Sequence, residues 1–461
     1  MFETITLPVW LFALILLFAV VTALSHVFIP PVRWFLRRRL ERAVARLNER
    51  LERPIQPFKL LRRQDMILRL SYDPEVLAAS QAYAEEQGIR EDVAHSLARR
   101  YAREIVPSFS AFAYFGFAIW AARWLSTRLF DVHVVRVDDV GLSGVPKDAT
   151  VVFVMNHRSN MDYVLVTYLA AERSALAYAV GEWARIWPVS RLFRAMGAYF
   201  IRRRSRNTLY RRVLARYVQM AVAGGVTQAI FPEGGLSLDG RVGQMKLGLL
   251  SYICEGYDPK VREIVFVPVS LNYDRVIEDN ILIRAGQSGK RRFRGSFLTG
   301  TAFAIRWVYR RIFGRIRKFG VAAVAFGKPL PLRDFGSTPD VKRLAAELRA
   351  RITEGVPVTP GPLVAKVLLG GARTRGDVIE AVRNDLAALD AHDAIVCWPK
   401  DGDAAVDRIL RLFTLRHIVS LNGDVITLRP RAKTVLPFYA ASVPELSERD
   451  STIQRRELSE T

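Results

Sequence analysis

A histidine and an aspartate stand with four residues between them in Asn156-His157-Arg158-Ser159-Asn160-Met161-Asp162-Tyr163. An imidazole held by a carboxylate is a general base: one ring nitrogen donates to the carboxylate and the other takes a proton. Such a base suits the activation of a hydroxyl, which does not ionise appreciably at neutral pH. The pair follows Thr150–Met155, an apolar and β-branched run that reads as a buried strand. On one continuous helix five residues turn through about 500°, and the two side chains diverge. They meet if His157 lies in the loop after the strand and Asp162 in the first turn of the next helix, with Ser159 or Asn160 as its cap. The carboxyl end of a strand in an open α/β sheet is where ligands gather. A histidine and an aspartate at a strand end also serve as purely structural hydrogen-bonding groups, so the spacing alone decides nothing.

Three further segments follow in order: Gly197-Ala198-Tyr199-Phe200-Ile201-Arg202-Arg203, Phe231-Pro232-Glu233-Gly234-Gly235 and Val267-Pro268-Val269-Ser270-Leu271-Asn272-Tyr273-Asp274. Together with the first, these segments resemble the four ordered blocks of the glycerolipid acyltransferase family, most closely its glycerol-3-phosphate branch. Gly181-Glu182-Trp183, Phe326-Gly327-Lys328-Pro329-Leu330 and Val358–Ala365 also resemble family segments, so the likeness covers most of the chain after about Gln56.

The resemblance implies acyl transfer from acyl-CoA or acyl-carrier protein to a hydroxyl of a glycerol phosphate. It makes His157 the base and Asp162 its partner, with no acyl-enzyme intermediate and no metal or redox cofactor. It also implies substrate contacts from Arg158 and Ser159, and an acceptor phosphate met by Arg202 and Arg203, arginine being suited to bidentate hydrogen bonding. Glu233, Gly234 and Gly235 are implied to shape the acceptor pocket, and Pro268 and Ser270 to line the acyl side. One departure stands out. The branch follows its glycine pair with Arg-Ser-Arg, whereas this chain has Leu236-Ser237-Leu238. Arg241 or Lys246 is left to supply the missing charge. Lysophosphatidic acid, dihydroxyacetone phosphate and an unphosphorylated lysolipid stay open as acceptors.

The elements that must position these residues alternate. Strands are predicted at Val132–Val137, Thr150–Met155, Ala175–Val180, Ala198–Ile201, Thr227–Phe231, Ile264–Leu271 and Gly320–Phe326, with helices at Met161–Ala171, Thr208–Ala223 and Gly248–Glu255. That rhythm predicts an α/β fold whose central sheet is flanked by helices. Helices are also predicted at Pro74–Gln87 and Arg90–Ile105, and a hairpin at Ile418–Leu421 and Val425–Leu428 around Asn422-Gly423-Asp424. The chain divides into an anchor (1–31), a basic helical region (32–104), an acyltransferase domain (105–335), a mainly helical C-terminal region (336–442) and a disordered tail (443–461).

Of the 461 residues half are hydrophobic, and the formal net charge is +23. Leu7–Pro30 is apolar and long enough to cross a hydrocarbon core. The arginines that follow it predict a single-pass helix in the cell (inner) membrane, with the enzyme on the cytoplasmic face and phospholipids as partners. Ile105–Leu125 is a second apolar run, expected to lie in the interface or to pack on the enzyme rather than to span. The positive charge calls for anionic partners, but no nucleic-acid recognition motif accompanies it. No Gly-x-Ser-x-Gly elbow marks a hydrolase. A noncatalytic membrane lipid-binding protein is the competing class, and the intact His157 and Asp162 speak against it.

Overall fold

The computed structural model describes residues 8–18, 38–39, 42–137, 144–169, 175–181, 189–202, 205, 207–289, 318–336 and 338–445. The chain divides into two compact units, Met1–Ile55 with Glu172–Ser174, and Gln56–Ala171 with Ala175–Thr461. In the first, residues 9–18 and 42–48 are helical. Most of the expected anchor, the basic run 290–317 and the tail beyond 445 lie outside the described residues. Among those described, no helix is long and apolar enough to cross a membrane.

The second unit is built on a mixed eight-stranded sheet. Its strands are β1 (Asp131–Val137), β2 (Thr150–Met155), β3 (Ala177–Val180), β4 (Tyr199–Phe200), β5 (Gln228–Ile230), β6 (Ile264–Tyr273), β7 (Val321–Phe326) and β8 (Leu330–Pro331). The order is β1-β7-β6-β2-β5-β3-β4, with β8 beside β6. β6, β2, β5, β3 and β4 run parallel, and β7 and β8 pair antiparallel to β6. All six residues of β2 are buried, as expected of a central strand covered on both faces. Val151, Phe153 and Met155 enter one core; Val152 and Val154 enter the other.

Besides the single turn Pro57–Leu60, the α-helices described in this unit are α1 (Arg63–Ser71), α2 (Pro74–Gln87), α3 (Glu91–Ile105), α4 (Ile119–Leu129), α5 (Met161–Leu169), α6 (Val189–Ala195), α7 (Thr208–Ala223), α8 (Gly248–Glu255), α9 (Asp279–Ser288), α10 (Val341–Glu354), α11 (Pro360–Leu369), α12 (Arg375–Ala391), α13 (Gly402–Leu415) and α14 (Ala432–Ala440). Caps fix several starts. Asn207 accepts the Tyr210 N–H at 2.8 Å, and Thr374 and Asp377 form a capping box. One core gathers α1–α3, α7, α8 and α10. The other gathers α5, α9 and α11–α14, so the C-terminal helices share the sheet's own core.

All seven expected strands are present. β6 runs on to Tyr273, because its last residues find a ladder partner in β7, Tyr273 opposite Ala322. The second apolar run is broken at Pro107. It continues as a π-helical turn, Phe112–Ala118, and then α4. Tyr114, Ala118, Ala122, Ser126 and Leu129 are buried, while Phe112, Phe117 and Trp120 are exposed. The hairpin forms as β9 (Val419–Asn422) and β10 (Val425–Leu428) around Gly423-Asp424.

The segment Val358–Ala365 acquires a physical role. Asp274, just past β6, accepts the Val321 N–H and the Gly361 N–H, both at 2.7 Å. It thereby joins β6, β7 and the start of α11. Burial pushes its carboxyl up to about 6, against the pull of those two donors.

Candidate active site

The site begins where β2 ends. The side chain of Asn156 replaces the next rung of the ladder. Its Nδ2 donates to the Leu271 carbonyl at 2.9 Å, and its Oδ1 accepts the Leu271 N–H at 2.8 Å. The chain then turns, and Asp162 falls in the first turn of α5, as the geometric argument requires. His157 Nδ1 lies 2.9 Å from Asp162 Oδ2. That same oxygen accepts the N–H groups of Arg158 at 2.7 Å and Ser159 at 3.0 Å. The other carboxylate oxygen accepts the Tyr273 hydroxyl at 2.7 Å. So many donors, at a helix N-terminus, fix the Asp162 carboxylate in place. It assigns the proton to Nδ1 of His157 and leaves Nε2 as the basic nitrogen. The imidazole is buried, with the Phe231 ring 4.3 Å from its centroid and Tyr163 edge-on at 5.4 Å.

The remaining residues of the loop are braced as closely. Glu278 accepts the Ser159 hydroxyl at 2.8 Å and the side-chain amide of Asn160 at 3.0 Å. Burial raises its carboxyl above the usual range. Ser159 Oγ in turn accepts the Met161 N–H at 3.2 Å and so caps α5. Glu233 accepts the His157 N–H at 2.9 Å and the Gly243 N–H at 3.1 Å. Burial pushes its carboxyl up to about 7. Gly234 has φ +67°, and a Cβ there would stand 2.8 Å from Nζ of Lys246, so Lys246 lies across the glycine turn.

Not every expected site residue joins this cluster. Side chains alternate along a strand, and the residues of β6 divide accordingly. Tyr273 faces Asp162, whereas Ser270 lies on the opposite face and donates to the Ile352 carbonyl at 2.8 Å. Pro268 shares that face, and its carbonyl accepts the Gly327 N–H. Arg202 follows β4, three strands from β2 in the sheet order, a lateral separation of roughly 14 Å at ordinary strand spacing. Its guanidinium is bidentate to Glu104 at 2.8 and 2.6 Å, packs on Tyr101 and Tyr210, and has its pKa raised by the carboxylate. Arg203 lies outside the described residues. Leu236 and Leu238 are partly buried against the core shared with the C-terminal helices. Arg241 pairs with Glu445 at 2.9 Å on the surface.

Asn156, Tyr273 and Glu278 carry functions that spacing alone did not assign. Asn156 and Tyr273 stand inside quoted motifs, and the alternation along β6 singles out Tyr273 once the strand is extended by two residues. Glu278 leaves no such signal. Neither cysteine is a competing nucleophile: Cys254 and Cys397 are buried, and burial pushes both thiols up to about 12.

This geometry, a braced His-Asp base at the end of a central strand, agrees with what the chain is similar to. Residues 136–272 match the model of the Acyltransferase family. The glycerol-3-phosphate acyltransferase of Xanthomonas campestris pv. campestris is 28% identical over 326 residues, which is 64% of this chain and 36% of that protein. The enzyme of the same name from Pseudomonas savastanoi pv. phaseolicola is 26% identical over 412 residues, 83% of this chain and 48% of that one. The chain thus spans between about a third and a half of the length of these curated relatives. The crystal structure of the 1-acyl-sn-glycerophosphate (LPA) acyltransferase of Thermotoga maritima is 17% identical and covers 63% of this chain and 95% of its own. Its TM-score is 0.32, too low to support any inference.

Proposed function

We propose that this protein transfers a fatty acyl group from the thioester of acyl-CoA or acyl-carrier protein to the sn-1 hydroxyl of glycerol-3-phosphate. The observation that carries the reading is the hydrogen-bonded line Tyr273–Asp162–His157, which points one basic nitrogen at a hydroxyl-sized task. Nε2 takes the acceptor proton as the oxygen attacks the thioester carbonyl. The tetrahedral intermediate collapses, the C–S bond breaks, and the departing thiolate receives the proton from the imidazolium. Atoms and charge balance without a redox group. Glu233 and Glu278 position the loop through its backbone and through Ser159, and Lys246 offers a cation over the glycine turn.

The test is transfer from palmitoyl-CoA, with glycerol-3-phosphate and lysophosphatidic acid offered separately. Lysophosphatidic acid formed from glycerol-3-phosphate supports the reading. A product made from the lysolipid alone overturns the acceptor. That second acceptor has one observation in its favour, the apolar pair Leu236 and Leu238 beside the site.

The reading places the enzyme at the cytoplasmic face of the inner membrane. Its support is the aromatic face of Phe112, Phe117 and Trp120, exposed to 80%, 52% and 61%, with Arg123 exposed beside it. Aromatic rings edged by arginine suit a bilayer interface. Replacing all three rings by serine should weaken flotation with anionic vesicles; unchanged flotation would rule this face out as the contact.

A further inference from the structure

Among the described residues, Arg158 heads the largest fully buried side chains, with 2% of its surface exposed. Its backbone N–H is spent on Asp162. Its guanidinium has one hydrogen bond, from Nη1 to the Gly240 carbonyl, and the Phe438 ring of α14 lies 5.2 Å from Cζ. The Nε and Nη2 hydrogens have no partner among the described residues. No carboxylate stands within ion-pair distance among the described residues. Asp162, Glu233 and Asp239 act on the charge only from farther off, and the first two are already committed to donors around His157.

An unpaired cation in the interior is costly, and so is each N–H left without an acceptor. Burial presses directly against the charge of this guanidinium. The two unsatisfied atoms are not a random pair. Nε and Nη2 form the side-on edge with which arginine grips a carboxylate or phosphate bidentately. That edge belongs to the residue after the base, on the same braced loop.

We propose that the Nε/Nη2 edge of Arg158 receives the phosphate of the acceptor, so that Leu236 and Leu238 need carry no charge. The inference rests on the acyl-transfer reading for the identity of the acceptor, and its ligand chemistry is a phosphomonoester. Gly240 and Phe438 are the cover. Gly240 has φ +94°, and a Cβ there would lie 1.9 Å from the Phe438 carbonyl oxygen, so the loop and the last turn of α14 are in direct contact. Phosphate entry requires that turn to give way. Once it closes again, the ion pair sits in a dry site, where its attraction is strongest.

The experiment is equilibrium dialysis of labelled glycerol-3-phosphate against the full chain in detergent, with inorganic phosphate as competitor and glycerol as the phosphate-free control. Arg158→Gln should weaken binding by about 30-fold or more, the loss of two bonds to a charged group, with Arg158→Lys between it and the wild type. Arg383→Gln, at an exposed ion pair with Asp403, should bind within about threefold of the wild type, since it leaves this edge intact. Binding by Arg158→Gln within about threefold of the wild type would overturn the proposal, as would a wild type that binds no phosphomonoester. If Arg158→Gln shows no cooperative unfolding transition, Phe438→Ala takes its place. Unroofing the guanidinium should tighten binding by about threefold or more, and unchanged affinity would overturn the proposal. Phosphate binding that depends on Arg158 without any acyl transfer would sink the reaction and leave Arg158 assigned. Transfer with an unchanged acceptor KM in Arg158→Gln would do the reverse. A wild type that takes only lysophosphatidic acid moves the same variants, and the same criteria, to that ligand's KM.

Discussion

The loop Asn156–Asp162 and the edge strand Tyr199–Phe200 carry two segments that look equally functional in the sequence, yet the structure treats them in opposite ways. At the first, the loop that carries the His-Asp pair is braced by partners from β6, the glycine turn and the residue before α9, while Nε2 of His157 is left for the substrate. At the second, Arg202 is a side chain about a third exposed, paired with a carboxylate of α3. Preorganisation separates them. A base must be held to a fraction of an ångström, and the molecule spends several buried hydrogen bonds on holding it. A surface ion pair needs no such shell and contributes little.

The sharpest way to break this comparison is to delete the base. His157→Ala should lower transfer to glycerol-3-phosphate by about 10²–10⁴-fold, the contribution of a positioned general base. The variant should keep its cooperative thermal transition. Activity within about tenfold of the wild type would mean that the braced loop is scaffolding.

Tyr273→Phe tests the brace itself and should have the next largest effect. It removes one hydrogen bond to the Asp162 carboxylate and changes neither the strand nor its packing. A bond to a charged group is worth about 1.5–3 kcal/mol, so kcat should fall by about tenfold or more while both KM values hold. A loss confined to KM would make Tyr273 a packing residue.

Much of this architecture was legible in the sequence because its signals were local. Thr150–Met155, Thr208–Ala223 and Gly248–Glu255 fall where hydrophobic period and caps put them. Helix geometry allowed the His157–Asp162 contact on condition that His157 lay in the loop and Asp162 in the first turn of the helix, and that is where they stand. Other surroundings needed long-range information. The arginine of Gly197–Arg203 lies at the sheet's edge in the strand order, and its partner Glu104 is 98 residues away in sequence. The register of β6 turns Ser270 to the face opposite Tyr273. Glu278 could not be found at all, because it reaches Ser159 across 119 residues of chain. Burial alone distinguishes Arg158 from a surface arginine, and no property of the surrounding residues announces it.

The edge pair gives the third test, with a smaller effect. Arg202→Ala and Glu104→Gln should each lower the Tm by a few degrees at most, as expected for an ion pair about a third exposed, and the double variant should lose little more than either single one. The acceptor KM should change by less than about threefold. A large rise in acceptor KM for Arg202→Ala, together with a fall for Glu104→Gln, would instead make Arg202 a phosphate ligand held in reserve by Glu104. That result would erase the contrast between the two regions.

The smallest effect concerns how the brace depends on pH. Burial raises the Glu233 carboxyl to about 7, above its ordinary 4.5. The folded state therefore binds this proton more tightly than the unfolded state. The stability this contributes is complete below about 4.5 and is lost as pH rises through about 7. A protonated carboxyl can still accept both backbone N–H groups, from His157 and Gly243, whereas an amide must turn its NH2 towards one of them. Glu233→Gln should accordingly be less stable than the wild type at pH 5, by about one hydrogen bond or 2–4 °C in Tm. The gap should close by pH 8, where the wild type has to keep a buried carboxylate charged. Thermal unfolding at the two pH values decides it. A gap of constant size would mean that the Glu233 carboxylate stays ionised throughout, and that the brace on His157 is as firm in alkali as in acid.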